Sequence, residues 1–90
     1  MSTIYAEEDE VIVLHRQQVD DVMNLIKQEM RLLAEVEQPG ADIDAYVTEL
    51  DEILAQKQTV VTSLRQRLAE FRARLQEEEM LSRSIPRSPQ

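Results

Sequence analysis

The chain contains a single glycine, and that glycine directly follows a proline at Pro39-Gly40. This pair is the only strong helix break between residues 7 and 85. Proline disfavours helical geometry in the residue before it, and glycine permits backbone conformations that other residues avoid. Long stretches with helical hydrophobic spacing lie on both sides of the break. The sequence therefore predicts two amphipathic helices joined by a tight turn, a hairpin whose remaining apolar surface needs cover from a partner.

The composition is typical of long helices and excludes several classes of protein. Apolar residues make up 42% of the chain, charged residues make up 31%, and there is no cysteine. This combination fits a coiled coil, and it excludes disulfides, thiol catalysis and thiolate metal sites. The net charge of −8 opposes binding to nucleic acid, and no apolar run reaches the ~20 residues that span a bilayer. We expect a soluble, intracellular protein that binds neither nucleic acid nor membrane.

The sequence divides into five predicted segments. They are a disordered N-terminus over residues 1–6, a helix over 7–38, a turn over 39–42, a helix over 43–81, and a disordered tail over 82–90. Several acidic residues open the first helix, where the positive end of the helix dipole favours negative charge. Asp42 or Asp44 can cap the second helix by accepting a hydrogen bond from a free backbone amide.

Each predicted helix carries an apolar stripe with heptad spacing, and these stripes are the predicted core and dimer interface. The first stripe consists of Ile12, Val19, Ile26 and Leu33 at intervals of seven, and Val22, Met23, Met30 and Val36 fill the adjacent positions. The second, in steps of three and four residues, consists of Val47, Leu50, Leu54, Lys57, Val61, Leu64, Leu68, Phe71 and Leu75. Neighbouring apolar residues widen both stripes: Val11, Leu25 and Leu32 in the first helix, and Tyr46, Ile53 and Val60 in the second. Lys57 either fixes the register of the helices or extends its ammonium to water.

Folding the chain at residue 40 pairs the two stripes in an antiparallel register. The facing pairs are Ile12 with Leu68, Val19 with Val61, Ile26 with Leu54, and Leu33 with Val47. The same register places the acidic residues 7–10 beside the basic residues within 67–74. Surface ion pairs contribute only about 0–1 kcal/mol each, but their signs favour this arrangement.

The sequence offers no catalytic or metal-binding constellation. His15 is the only histidine, whereas a catalytic triad or a zinc site needs several converging groups. A phosphate-binding loop is also absent, because that motif needs several glycines. We therefore predict no enzymatic activity, no cofactor and no metal. Four arginines, Arg65, Arg67, Arg72 and Arg74, either pair with acids on a neighbouring helix or form a patch for an acidic partner.

Several runs of residues resemble the kinesin-13 family of microtubule depolymerases. The ungapped run from Asp42 to Glu79, followed by Ser84–Arg87, resembles the C-terminal region of that family. Upstream, His15–Val19, Glu29–Leu33 and Glu37–Gly40 resemble its plant and protist branch. The resemblance covers about residues 8 to 87, and it rests on the order of the whole run more than on any single motif.

The resemblance implies a tail domain and not a motor. Kinesin-13 proteins carry an internal ATPase motor that releases tubulin from microtubule ends, and their C-terminal region is associated with dimerisation, autoinhibition and end targeting. The ATP and tubulin sites of the family map onto no residue of this chain. The resemblance thus implies a non-catalytic dimerisation and regulatory domain on cytoplasmic microtubules. Its implied partners are a second copy, the motor of its own parent protein, or other microtubule-associated proteins.

We therefore expect an all-α, antiparallel two-helix hairpin that pairs into a dimeric four-helix bundle. Two other interpretations of the pattern remain open. One is an adaptor hairpin that docks a helix of another cytoskeletal protein and is monomeric by itself. The other is a long parallel coiled-coil rod in which the break at Pro39-Gly40 is straightened. An enzyme is the least supported class.

Overall fold

Two long helices form an antiparallel hairpin in the computed structural model, which describes residues 4–84. Helix α1 spans Ile4–Val36 and helix α2 spans Ile43–Ser84. The two helices pack against each other along their lengths, and the molecule is only 17 × 14 Å in cross-section. The prediction of an all-α hairpin is confirmed, and the straightened rod is wrong because the chain reverses direction between the helices.

The turn reverses the chain through the residues that the sequence indicated. Gly40 has a φ of +78°, a left-handed conformation that glycine adopts without the steric cost that a Cβ brings. The backbone amide of Ala41 donates to the carbonyl of Gln38 at 3.2 Å. On the far side, the amide of Ala45 donates to Oδ1 of Asp42 at 3.1 Å. Asp42 is therefore the N-cap of α2, as one of the two predicted candidates.

The helix bounds differ slightly from the predicted ones. Helix α1 starts three residues before the predicted start at residue 7, and it ends at Val36 instead of residue 38. The early end follows from Pro39, which keeps the preceding residues out of helical geometry. Helix α2 extends to Ser84, through part of the predicted tail. The rest of that tail, residues 85–90, and the predicted disorder of residues 1–3 lie outside the described residues.

The seam between the helices follows a heptad pattern in steps of three and four residues. Its apolar centre is Leu25, Leu32 and Ile53, which are 5%, 5% and 6% exposed, with Tyr46 and Leu50 packed against them. Half-buried residues continue the seam: Val11, Gln18, Val22, Glu29 and Val36 in α1, and Lys57, Val60, Leu64, Arg67 and Phe71 in α2. We call these two sets together the seam.

The predicted pairing of the two stripes within the chain is wrong in one respect. Ile12, Val19, Ile26 and Leu33 lie at the expected levels of the hairpin, but they are 42–49% exposed and lie beside the seam. Their neighbours one position earlier, Val11, Gln18, Leu25 and Leu32, fill the seam of α1 together with Val22, Glu29 and Val36. Both sets have heptad spacing, so both can form a helix–helix contact, and hydrophobic spacing alone does not distinguish them.

Candidate functional site

The hairpin has two long faces, one on each side of the seam, and they differ in chemistry. One face carries grooves between the helices, and polar side chains line much of one of them. The groove near the turn illustrates this, because it is lined by Gln28, Arg31, Glu35, Glu49, Glu52 and Gln56 beside the buried residues Leu32 and Ile53. In both helices, these polar residues lie on the same side of the heptad positions that form the seam. The residues on the other side of the seam, from α1 and from α2, therefore lie together on the second face.

The second face carries two rows of exposed apolar side chains, which we call the apolar strip. In each row the residues follow one another at intervals of seven. The rows are Tyr5, Ile12, Val19, Ile26 and Leu33 on α1, and Val47, Leu54, Val61, Leu68 and Leu75 on α2. Every one of the ten is between 42% and 74% exposed. The two rows lie at matching levels, because they stand immediately beside the two sides of the seam.

The apolar strip is more uniformly apolar than the seam that holds the hairpin together. The seam includes Gln18, Glu29, Lys57 and Arg67, whereas the strip contains no charged residue. Soluble monomers rarely leave a continuous apolar surface of this length facing water, and such surfaces mark interaction sites. This face therefore has the apolar composition that is typical of interaction surfaces.

The remaining residues of the predicted interface divide between the seam and the strip. Leu50, Leu64 and Phe71 lie half-buried in the seam, so they hold the hairpin itself. Met23 and Met30 are 52% and 64% exposed and border the strip on the outer side of α1. Methionine side chains adapt to irregular surfaces, which suits an edge of this kind. Sequence reasoning missed Tyr5, although its spacing of seven from Ile12 was the available signal.

Arginine–glutamate pairs link the helices near the chain ends. Nε of Arg67 donates to Oε1 of Glu10 at 2.6 Å, and its Nη1 donates to Oε1 of Glu70 at 3.1 Å. Nη2 of Arg74 lies 3.4 Å from Oε2 of Glu7. The hydrogen bond to Glu10 raises the pKa of Arg67 further above its ordinary value, so its guanidinium stays charged. The predicted pairing of residues 7–10 with the basic residues within 67–74 is confirmed.

The four arginines do not form one patch, because the structure places them on different sides of α2. Arg67 and Arg74 pair with carboxylates. Arg65 and Arg72 instead line a shallow groove with Leu68, beside the strip. Within residues 4–84, neither Arg65 nor Arg72 forms an ion pair. Two arginines, and not four, are thus available to a partner.

Lys57 is paired in the middle of the seam. Its ammonium forms an ion pair with the carboxylate of Glu29, and both side chains are less than one third exposed. Sequence reasoning gave Lys57 two possible roles but missed Glu29 as its partner. The register predicted from the sequence places Met23, and not Glu29, at the level of Lys57, so it gave no signal of this pair. The ion pair ties one position of α1 to one position of α2.

Metal-ion clusters and membrane-spanning helices are both absent from the part of the chain that the structure describes. Residues 4–84 contain no group of three or more His, Cys, Asp or Glu side chains placed to hold a metal ion. No helix in the same part of the chain is long and apolar enough to cross a membrane. The apolar strip is therefore the feature with the clearest capacity to bind something.

The sequence of the chain matches part of two plant proteins named kinesin-like. It is 46% identical over 83 residues to kinesin-like protein KIN-13A of Oryza sativa subsp. japonica, a match that covers 92% of this chain and 10% of that protein. It is 42% identical over 81 residues to kinesin-like protein KIN-13B of Arabidopsis thaliana, covering 90% of this chain and 12% of that protein. No protein-family profile matches the chain, and no solved structure matches it.

The match to kinesin-13 is therefore partial and at the level of a domain. It extends over nearly the whole of this chain, which spans only about a tenth of the length of the relatives. The predicted resemblance is confirmed at that level.

Proposed function

Because the chain matches a domain-sized segment of kinesin-13 proteins, we propose that it is a non-catalytic dimerisation and regulatory domain of a microtubule-depolymerising protein of that family. It acts in the cytoplasm on microtubules, and the apolar strip is the surface through which two copies associate. The motor of the parent protein supplies catalysis. Dimerisation by this segment brings two such motors together.

The observation that carries the proposal is the distribution of apolar residues between the strip and the seam. Among the described residues, a single hairpin leaves only Leu25, Leu32 and Ile53 less than about a tenth exposed. A core of this size supplies little stability by itself, and small domains commonly gain the rest by oligomerisation. When the apolar strip of a second copy covers this one, the apolar area that becomes buried supplies the additional stability.

The dimensions of the strip suit a stable interface. The row from Tyr5 to Leu33 is about 42 Å long at 1.5 Å per residue. With the 17 Å width of the hairpin, the face covers roughly 700 Å² in each copy, close to the roughly 800 Å² per partner of a stable complex. The charged polar face offers no comparable surface.

The proposal is tested by placing one carboxylate in the strip and another in the seam. We expect the unmodified chain to have twice its chain mass of 10.5 kDa in size-exclusion chromatography with light scattering. Leu54→Asp puts a charge among apolar side chains and should raise the dissociation constant of the dimer at least ~100-fold. The matched control Gln56→Asp changes a polar-face residue two positions away and should leave the dimer intact.

Leu64→Asp separates the strip from the seam. Because Leu64 is half-buried between the helices, this variant should lose helicity as well as the dimer, as measured by circular dichroism. Leu54→Ala provides a milder test, since it weakens association without a buried charge and favours helix. A monomeric unmodified chain, or a Leu54→Asp dimer with unchanged helicity and affinity, contradicts the proposal.

A further inference from the structure

Two copies that meet through the apolar strip can be arranged in two ways. A twofold axis along the hairpin places both turns at the same end of the dimer, and α1 then packs beside α2 of the second copy. A twofold axis across the hairpin places the turns at opposite ends, and each helix packs beside its own copy. The orientation of the two copies is a further detail of the proposed self-association, and it rests on that proposal.

The apolar rows themselves do not choose between the two arrangements. Each row has five residues at intervals of seven, and the middle residues, Val19 and Val61, lie at the same level of the hairpin. Either axis therefore brings apolar residues onto apolar residues. The residues that border the strip on its outer edges therefore determine which of the two orientations is favoured.

The outer edge of α2 carries opposite charges at its two ends. The residues three positions before each member of the α2 row are Asp44, Asp51, Gln58, Arg65 and Arg72. They lie on the outer side of the strip, since a helix turns about 100° per residue. Within the described residues Asp51, Arg65 and Arg72 form no ion pair. The edge therefore has acids toward the turn and bases toward the open end, each without a partner.

With the turns at opposite ends, this edge is complementary to itself. The axis passes the level of Val61, so Arg72 lies opposite Asp51 of the second copy, and the symmetry repeats the pair. Arg65 lies opposite Gln58, which accepts a hydrogen bond from it. The single like-charge approach, Asp44 toward Glu79, lies at the outermost end, beyond the last residue of the row.

With the turns at the same end, the edge of α2 meets the outer edge of α1. The charged residues of that edge are Asp9, Arg16 and Glu37. Two like-charge contacts then form, because Arg65 lies opposite Arg16 and Asp44 lies opposite Glu37. Only one favourable contact, that of Arg72 with Asp9, offsets them. Like charges that face each other across an interface disfavour the complex.

We infer that two copies of this chain associate through the apolar strip with their turns at opposite ends, and that Arg72 of each copy pairs with Asp51 of the other. The twofold axis crosses the dimer at the level of Val19 and Val61. The partner of this surface is thus a second copy held in one orientation.

A distance between the two turns tests the arrangement directly. The chain has no cysteine, so Gln38→Cys introduces one exposed label site in the turn. With a spin label at residue 38 of each copy, double electron–electron resonance should give a distance of about 55 Å between the two labels. Each label lies 19 positions from the axis at about 1.5 Å per position, and the two labels lie on opposite sides of the axis. A separation below about 25 Å means adjacent turns in a bundle; it overturns the inferred orientation while leaving the self-association in place. A monomeric mass overturns both.

A charge exchange provides an independent test. Arg72→Asp and Asp51→Arg should each weaken the dimer about tenfold, because each places like charges opposite one another. The double variant should regain the original affinity. The two residues are 21 positions apart on one helix and do not meet within a chain, so such recovery supports the contact between copies. Two weakened single variants without recovery in the double variant overturn the pairing.

Discussion

The half of the hairpin next to the turn and the half next to the chain ends are held together by different interactions. Near the turn, Leu25, Leu32 and Ile53 form a buried apolar core with Tyr46 and Leu50 against it. Near the chain ends, the described side chains of the seam are at most half-buried, and arginine–glutamate pairs link the two helices.

The difference separates global stability from local opening. Screening by salt does not weaken apolar burial, whereas exposed ion pairs are screened and contribute little. The turn-proximal half should therefore determine the free energy of unfolding. The open half should determine how often the helix ends separate, which fits the general finding that stability is uneven along a structure.

The largest effect is expected in the apolar core. Leu32→Ala should reduce the free energy of unfolding by about 2–4 kcal/mol, because it leaves a cavity in the most buried part of the seam. Urea denaturation followed by circular dichroism, at one fixed protein concentration, measures the change. Val13→Ala, at a site that is 65% exposed and outside both seam and strip, is the control and should change stability by less than about 0.5 kcal/mol. Equal losses in both variants would remove the distinction between core and surface.

A smaller effect is expected at the turn. Gly40→Ala should cost about 1–2 kcal/mol, since an alanine in the left-handed region is strained. A Cβ there would meet no atom within 4 Å, so the cost comes from the backbone alone. Thermal denaturation measures it. Gly40→Asn should lose less than the alanine variant, since asparagine tolerates this conformation better. If the cost came from steric clashes of the side chain, the larger asparagine would instead destabilise the hairpin more than alanine.

The middle of the seam should respond to the pairing of Lys57 with Glu29. Lys57→Leu alone should destabilise the hairpin by about 1 kcal/mol, because it leaves a half-buried carboxylate without its cation. The double variant Lys57→Leu/Glu29→Leu should recover that loss or exceed the original stability, since a well-packed apolar pair often replaces a buried ion pair at no cost. A double-mutant cycle from thermal melts checks this. Additive losses would show that the two residues do not interact.

The smallest effect on global stability is expected at the open end. Arg67→Gln should leave the denaturation midpoint nearly unchanged but increase amide hydrogen exchange in the first three turns of α1. Salt at 1 M should produce the same local change in the unmodified chain, because the Debye length falls to about 3 Å. The amides around Leu25 serve as the internal control, and faster exchange there would mean that the ion pairs support the whole hairpin.

Much of the fold was predictable from local signals. Pro39-Gly40 placed the turn, Asp42 was one of two expected caps, and the acidic start of α1 matched the arginines of α2. Each of these follows from backbone geometry or charge within a short segment. The level of each residue along the hairpin also followed, because the position of the turn fixes the register.

The composition of the seam was not predictable from hydrophobic spacing. On α1, Leu25 and Ile26 are adjacent and both belong to sets with heptad spacing, so the pattern permits either one to face α2. The seam that forms is the more polar choice, and it is tolerated because Lys57 meets Glu29. That pairing is a contact between distant parts of the sequence, which a one-dimensional pattern does not contain.

The polar face has a consequence for how far assembly proceeds. In the proposed dimer, the two apolar strips cover each other and the charged faces point outward. We expect such a dimer to leave no second apolar strip for a third copy, so that assembly ends at two copies. In the proposed dimer, the number of copies is limited by the polar residues of that face, such as Gln28 and Glu35 on α1 and Glu49 and Gln56 on α2. The net charge of −8 on each copy also opposes further association.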